Sequence, residues 1–260
     1  MGQLNPRNKE RQRAIDDALQ QRMSARFERR IRREIGQTFR EAATAYEKRG
    51  DLAIPLALSD HSRGIAEAIQ ADYRTIGQFF GRRLLKDAKA YAPTLITKDG
   101  EDLEDLLDLA IDRFARTWLA TKVTQINSTT EHQLRRIITV GLAEGWGVDK
   151  IARTMREMAG PLSALRAHVI ARTETHTAAN FGAQQAAELT GLQMRREWVS
   201  AADERTRDTD EADHVSANGQ IVGMREPFEV SGESLMFPGD PSGSPGNVIM
   251  CRCSVAFIYD

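Results

Sequence analysis

The sequence is poor in the residues that staple a chain or carry it across a membrane. It has two cysteines in 260 residues, Cys251 and Cys253, and they stand one residue apart. A bond between so close a pair would be strained, which excludes a disulfide scaffold and fits synthesis in a reducing cytosol. No apolar run approaches the roughly 20 residues a membrane-spanning helix needs. The opening MGQLNPRNKERQRAIDD has neither the apolar core of a secretory signal nor the Ser or Thr of a myristoylation signal, so no membrane partner is expected. Aromatic residues make up only 6%. Neither sign of charge prevails, with 36 Lys+Arg against 37 Asp+Glu. A protein that simply coats nucleic acid would show a clear basic excess, so that class is excluded.

What is present is charged and helix-forming. The near-neutral total is an average of unlike parts, since residues 1–50 hold 13 basic and 7 acidic side chains and residues 191–260 hold 6 and 12. From Asn8 to Arg49 the apolar positions Ile15, Leu19, Met23, Phe27, Ile31, Ile35 and Phe39 recur at steps of four. That is the stripe of a long helix that packs on a partner or on its own neighbour, and these first 50 residues are expected to order fully only on binding. Further helices are expected over 59–92, closed by Pro93, and over 99–127. Ser128 to Glu131 has the form of a capping box and predicts a new helix start. Gly145-Trp146-Gly147 and Gly160-Pro161 predict breaks, and Gly191 a helix cap.

From Gln193 onward the pattern changes to short strands and loops. Asn218-Gly219 is a strong hairpin-type turn signal and Ser231-Gly232 a weaker one. The PGDPSGSPGN stretch reads as a turn-rich loop, structured or mobile. The expected fold class is α+β, with long helices in the amino-terminal two-thirds and a small antiparallel β-rich module at the end. The division expected is a helical docking part, 1–127, and a second domain, 128–260, with helices to 190 and a β/loop module over 191–260.

An ordered series of motifs begins in the last helix. It runs Ile170-Ala171-Arg172-Thr173-Glu174, Glu197-Trp198, the DERTRD of Asp203 to Asp208, His214, Gly219, Pro238-Gly239-Asp240-Pro241 and Cys251-Arg252-Cys253. In this order the chain resembles the phage head morphogenesis family typified by the Mu F protein, over about half its length. The resemblance implies a non-enzymatic minor head protein of a tailed bacteriophage. Such a protein would bind the portal protein or the major capsid protein and be oligomeric in the virion, at the head interior or portal vertex. It would support head assembly, DNA packaging or genome ejection. The resemblance also marks Arg172, Glu174, Trp198, Asp203, Arg205, Arg207, Gly219, Pro238 and Asp240 as residues of the structural motif.

The residues themselves suggest two chemistries. His214, Cys251 and Cys253, with Asp208 as a fourth, are ligands that zinc accepts; the other reading is a pair of buried, apolar thiols, since C-x-C is not the C-x2-C knuckle spacing. Arg172 and Glu174 opposite Asp203, Arg205 and Arg207 could form a buried ion-pair network. The alternative, a metal-dependent nuclease or DNA-processing factor, would place Glu174, Asp203, Asp208 and His214 around a divalent ion. No H-N-H spacing, no lysine among the acids and no glycine-rich phosphate cradle supports it. His61, His132, His168 and His176 read as scattered surface or satisfied residues. On the basic helix, Arg26, Arg29, Arg30 and Arg33 are the candidates for contact with packaged double-stranded DNA or an acidic partner, without sequence-specific reading.

Overall fold

In the computed structural model, which describes residues 6–50, 54–93, 95 and 102–259, four long helices precede a set of short strands. The helices are α1 (Pro6–Arg49), α2 (Ile54–Tyr91), α3 (Leu103–Ala143) and α4 (Val148–Thr190). The strands are β1 (Met194–Val199), β2 (Asp208–Thr209), β3 (Ala212–Asp213), β4 (Ile221–Gly223), β5 (Phe228–Val230), β6 (Glu233–Leu235) and β7 (Ser254–Tyr259), with a one-turn helix α5 (Pro245–Val248) before the last. The class is α+β, as the sequence pattern predicts.

Two expected breaks are absorbed into helices. The capping box at Ser128 starts nothing, because α3 runs straight through it. Thr129 and Thr130 instead donate back to the carbonyls of Gln125 and Ile126, the local bond that lets such residues sit inside a helix. The division at 127/128 therefore falls within one helix. Pro161 likewise lies inside α4, where the Ser163 hydroxyl donates to the Gly160 carbonyl. The expected helix start at Asp99 lies outside the described residues. Gly145 and Gly191 do end helices, both at positive φ (68° and 63°), where only glycine is unstrained.

The chain groups into two compact units, one of residues 1–24, 72–114 and 172–260, the other of residues 25–71 and 115–171. Each long helix contributes one stretch to each unit. In the second unit the stripe of α1 is covered by the chain itself: Phe27, Ile31, Ile35 and Phe39 are buried, as are Ile65 and Ile69 of α2, Leu134 and Ile138 of α3, and Ile151 and Met155 of α4. The free stripe expected for docking on a partner helix is thus occupied over this stretch. Arg166 donates to the Ile126 carbonyl and to Thr130 Oγ1; burial pushes its pKa down to about 10.

The first unit holds the sheet. Its α2 and α4 stretches meet through glycines, since a Cβ on Gly182 would lie 2.2 Å from the Gly77 carbonyl oxygen. Beside that contact Phe114 stacks on Phe181, with ring centroids 3.8 Å apart. The three-stranded antiparallel sheet has order β4-β1-β7, with Trp198 opposite Val255. β2 pairs with β3, and β5 with β6. The two-residue hairpin is the one at Ser231-Gly232, both at positive φ (50° and 78°), joining β5 to β6. Asn218-Gly219 is a turn leading into β4; Gly219 takes φ 81° while Asn218 Oδ1 accepts the Ser200 amide.

Candidate functional site

The motif residues of the C-terminal part converge on the segment before β7. Met250 sits at φ 58°, and the extended residues after it direct both cysteines inward and Arg252 outward, as an i, i+2 spacing does. Both thiols are free and 2% exposed. Opposite them stands His214, also buried, with Nδ1 3.7 Å from Cys251 Sγ and 3.3 Å from Cys253 Sγ. Its Nε2 donates to Asn247 Oδ1 at 3.2 Å, which leaves Nδ1 as the lone-pair nitrogen facing the sulfurs. Trp198 lies edge-on to His214 at 5.6 Å.

The two thiols are driven apart in acidity. Burial opposes ionisation of Cys251, yet the hydrogen bond with Cys253, together with His176 and His214, holds its thiol well below the ordinary range. Cys253 moves well above it, because it is bonded to Cys251 and buried beside that charge; the Trp198 side chain and the Ala201 backbone work the other way.

Each expected site residue can now be placed. His214, Cys251 and Cys253 come together, their ligand atoms all within 4.8 Å of one another. Asp208 does not join them: it is exposed on β2, paired in register with Asp213. The expected network of Arg172, Glu174, Asp203, Arg205 and Arg207 does not form as a whole either, because all but Arg205 find nearer partners outside it. Arg172 pairs with Asp17 at 2.5 Å. Glu174 accepts the Tyr73 hydroxyl at 2.5 Å. Asp203 takes both arms of Arg252, at 2.6 and 2.5 Å, which holds its carboxyl well below the usual range. Arg205 makes only an exposed 3.7 Å contact with Asp203. Arg207 donates to the Ile249 carbonyl. Among the described residues, no other cluster of His, Cys, Asp and Glu has a metal-ligating arrangement, so the carboxylates the nuclease alternative needs do not meet around His214.

The remaining motifs act as clamps on α4. The Thr173 hydroxyl accepts the Met250 amide at 3.1 Å, and the Thr177 hydroxyl donates to the Gly239 carbonyl at 2.7 Å. Gly239, at φ 81°, lies so close that a Cβ there would sit 2.8 Å from His176 Cδ2. Pro238 is buried beside it. Asp240 is buried and accepts the amides of Met236 and Ser242, so the PGDP loop is built and not loose.

Three participants escape a reading by motif. His176, read as a surface or satisfied residue, is 3% exposed and lines a small cavity with Cys251; its spacing of three from Thr173, on the face that meets the loop, is the signal that could have found it. Asn247 orients His214. Arg196 is fully buried, its guanidinium bonded to Gln184 Oε1 and to the carbonyls of Gly223, Glu226 and Met236. Of the basic cluster on α1, Arg26, Arg29 and Arg33 are exposed and Arg30 is half-buried.

Fold and site together define a helix-rich α+β protein whose terminal β module is fastened to its last long helix by short polar clamps and encloses a buried Cys/His cluster. The family model described as "Phage Mu protein F like protein" matches residues 132–256, and that segment is similar to that family. A curated protein that it resembles, "Uncharacterized protein YqbB" of Bacillus subtilis (strain 168), is 22% identical over 142 residues, covering 54% of this chain. The chain spans about half the length of that relative, 46%. No solved structure matches it. No described helix is long and apolar enough to cross a membrane.

Proposed function

We propose that the protein is a structural minor head component of a tailed bacteriophage, binding the portal or inner capsid and supporting head assembly, DNA packaging or genome delivery. The observation that carries this reading is that the matched segment, 132–256, contains every motif and uses them to build a fold. Asp203 is engaged by Arg252, Thr177 by Gly239 and Arg207 by Ile249. Residues occupied in this way hold surfaces in place and are not free to turn over a substrate. The protein acts by binding, is present in several copies in the virion, and offers exposed Arg26, Arg29 and Arg33 to packaged DNA phosphates or to an acidic partner surface.

Co-purification tests it. The tagged full chain, co-expressed with the portal protein of the same phage, is expected to retain that protein, and purified particles of that phage are expected to contain the chain by mass spectrometry. Particles that assemble in its presence and exclude it would overturn the reading. Plasmid cleavage that needs Mg²⁺ and is lost in His214→Ala would replace it with the nuclease alternative.

A further inference from the structure

The geometry points to a structural zinc site in which His214, Cys251 and Cys253 are three ligands and His176, which lines a small cavity together with Cys251, closes in as the fourth. Bonds of about 2.3 Å to sulfur and about 2.1 Å to nitrogen give a tetrahedron whose N···S edge is about 3.6 Å. The two His214 Nδ1···Sγ distances are 3.3 and 3.7 Å, so a zinc ion fits among these atoms with little change.

The imidazoles are prepared for the ion. His214 donates Nε2–H to Asn247 Oδ1, and His176 donates Nδ1–H to Gln20 Oε1 at 3.1 Å. Each ring thereby keeps one unprotonated nitrogen, and a partner on the other nitrogen is the usual support of a metal-binding histidine. His176 stands on the Cys251 side, where a small cavity lined by Gln20, Ser24, Arg172, Thr175 and both residues gives its ring room to close on the fourth vertex, its Nε2 exchanging the Asn180 amide at 3.1 Å for the ion. Two thiolates and two neutral imidazoles cancel a divalent charge, so the buried site carries no net charge. No exposed carboxylate such as Asp208 is required.

The consequence is mechanical. The ligands come from α4, from the turn after β3 and from the segment before β7, so one ion fastens three pieces of chain. The apolar core beneath the sheet consists of seven buried residues, two of them these cysteines. A metal replaces what so thin a core cannot supply.

The test uses the full-length chain, purified without a metal-affinity tag and assayed by elemental analysis. It is expected to carry about one zinc per chain, as a closed four-ligand site does. A mercurial thiol reagent is expected to release that zinc from the native protein, a measurement that needs no variant. Cobalt in place of zinc is expected to show thiolate-to-metal charge transfer and the visible bands of a tetrahedral ion. Cys253→Ser and His214→Ala are expected to lose the metal. Asn247→Ala is expected to weaken zinc binding about 10–100-fold, and His176→Ala to weaken it further and to turn the cobalt spectrum to that of a higher-coordinate, water-bound ion. Protein that takes up neither zinc nor cobalt, even when refolded with them, overturns the site. A His176→Ala protein with unchanged affinity and spectrum overturns the fourth ligand. Either failure leaves the head-protein reading standing, since that reading rests on co-purification.

Discussion

The two units are held together by different chemistry. Among the described residues, 19 buried side chains are polar or charged, and 15 of them belong to the unit of residues 1–24, 72–114 and 172–260. The other unit buries only Glu34, Thr38, Thr130 and Ser163. One core is therefore filled by volume, with isoleucine, leucine, phenylalanine and alanine in helical register. The other is wired by named hydrogen bonds, each with a donor and an acceptor that cannot be exchanged for a shape of equal size. An apolar core loses stability in proportion to the volume removed, whereas a polar core loses it when one partner is left alone.

Arg196 gives the sharpest way to break that contrast. Burial pulls its pKa below the ordinary range, which Glu188 and Glu226 partly offset, and its guanidinium serves four acceptors. Arg196→Met keeps length and apolar character but strands three carbonyls and the Gln184 amide oxygen. The expected loss in urea unfolding is about 3–5 kcal/mol. Thr177→Val comes next: it preserves shape, leaves the Gly239 carbonyl without its donor, and is expected to cost about 2 kcal/mol. A near-silent Thr177→Val would mean that the PGDP loop is held by packing alone.

An effect that is modest per pH unit separates the units by pH. Asp72 is buried, and burial raises its pKa from 3.8 to about 8; the Thr175 hydrogen bond opposes this and the nearby Glu174 charge adds to it. The native chain then holds a proton between those values that the unfolded chain has released. This contribution is complete below about pH 4 and is lost as pH rises toward 8, at up to about 1.4 kcal/mol per pH unit. Unfolding measured from pH 5 to 9 is expected to show that decline, and Asp72→Asn to flatten it. An unchanged slope in Asp72→Asn assigns the titration elsewhere.

The same contrast explains what could be read in the sequence. Steps of four from Phe27 to Phe39 report α1 because an apolar core imposes its period on the chain. Ser128 and Pro161 misled because tertiary packing overrides local stop signals within long helices. The convergence of His214 with Cys251 and Cys253 was legible as residue types, but the fourth member was not. Asp208 stands six residues from His214 in sequence and faces solvent, whereas His176, 38 residues away, shares a small cavity with Cys251 and is closely approached by Gly239. Polar wiring joins residues that share no period, so no window along the chain displays it. Arg196 escaped for a related reason: the alternation of β1 sets it inward beside Met194 and Trp198, but the acceptors that let a charge sit there lie 12 to 40 residues away.

The smallest expected effect is also the strictest control. Ile35 is fully buried in the helical unit. Ile35→Val removes one methylene and is expected to cost about 1 kcal/mol, about half of the Thr177→Val loss although that substitution removes no volume. Because no titrating group and no ligand of the Cys/His cluster belongs to that change, its cost should be the same at pH 5 and pH 8 and with or without chelator. A cost that varies with either condition would show that the two cores are coupled, and that the polar wiring of one sets the packing of the other.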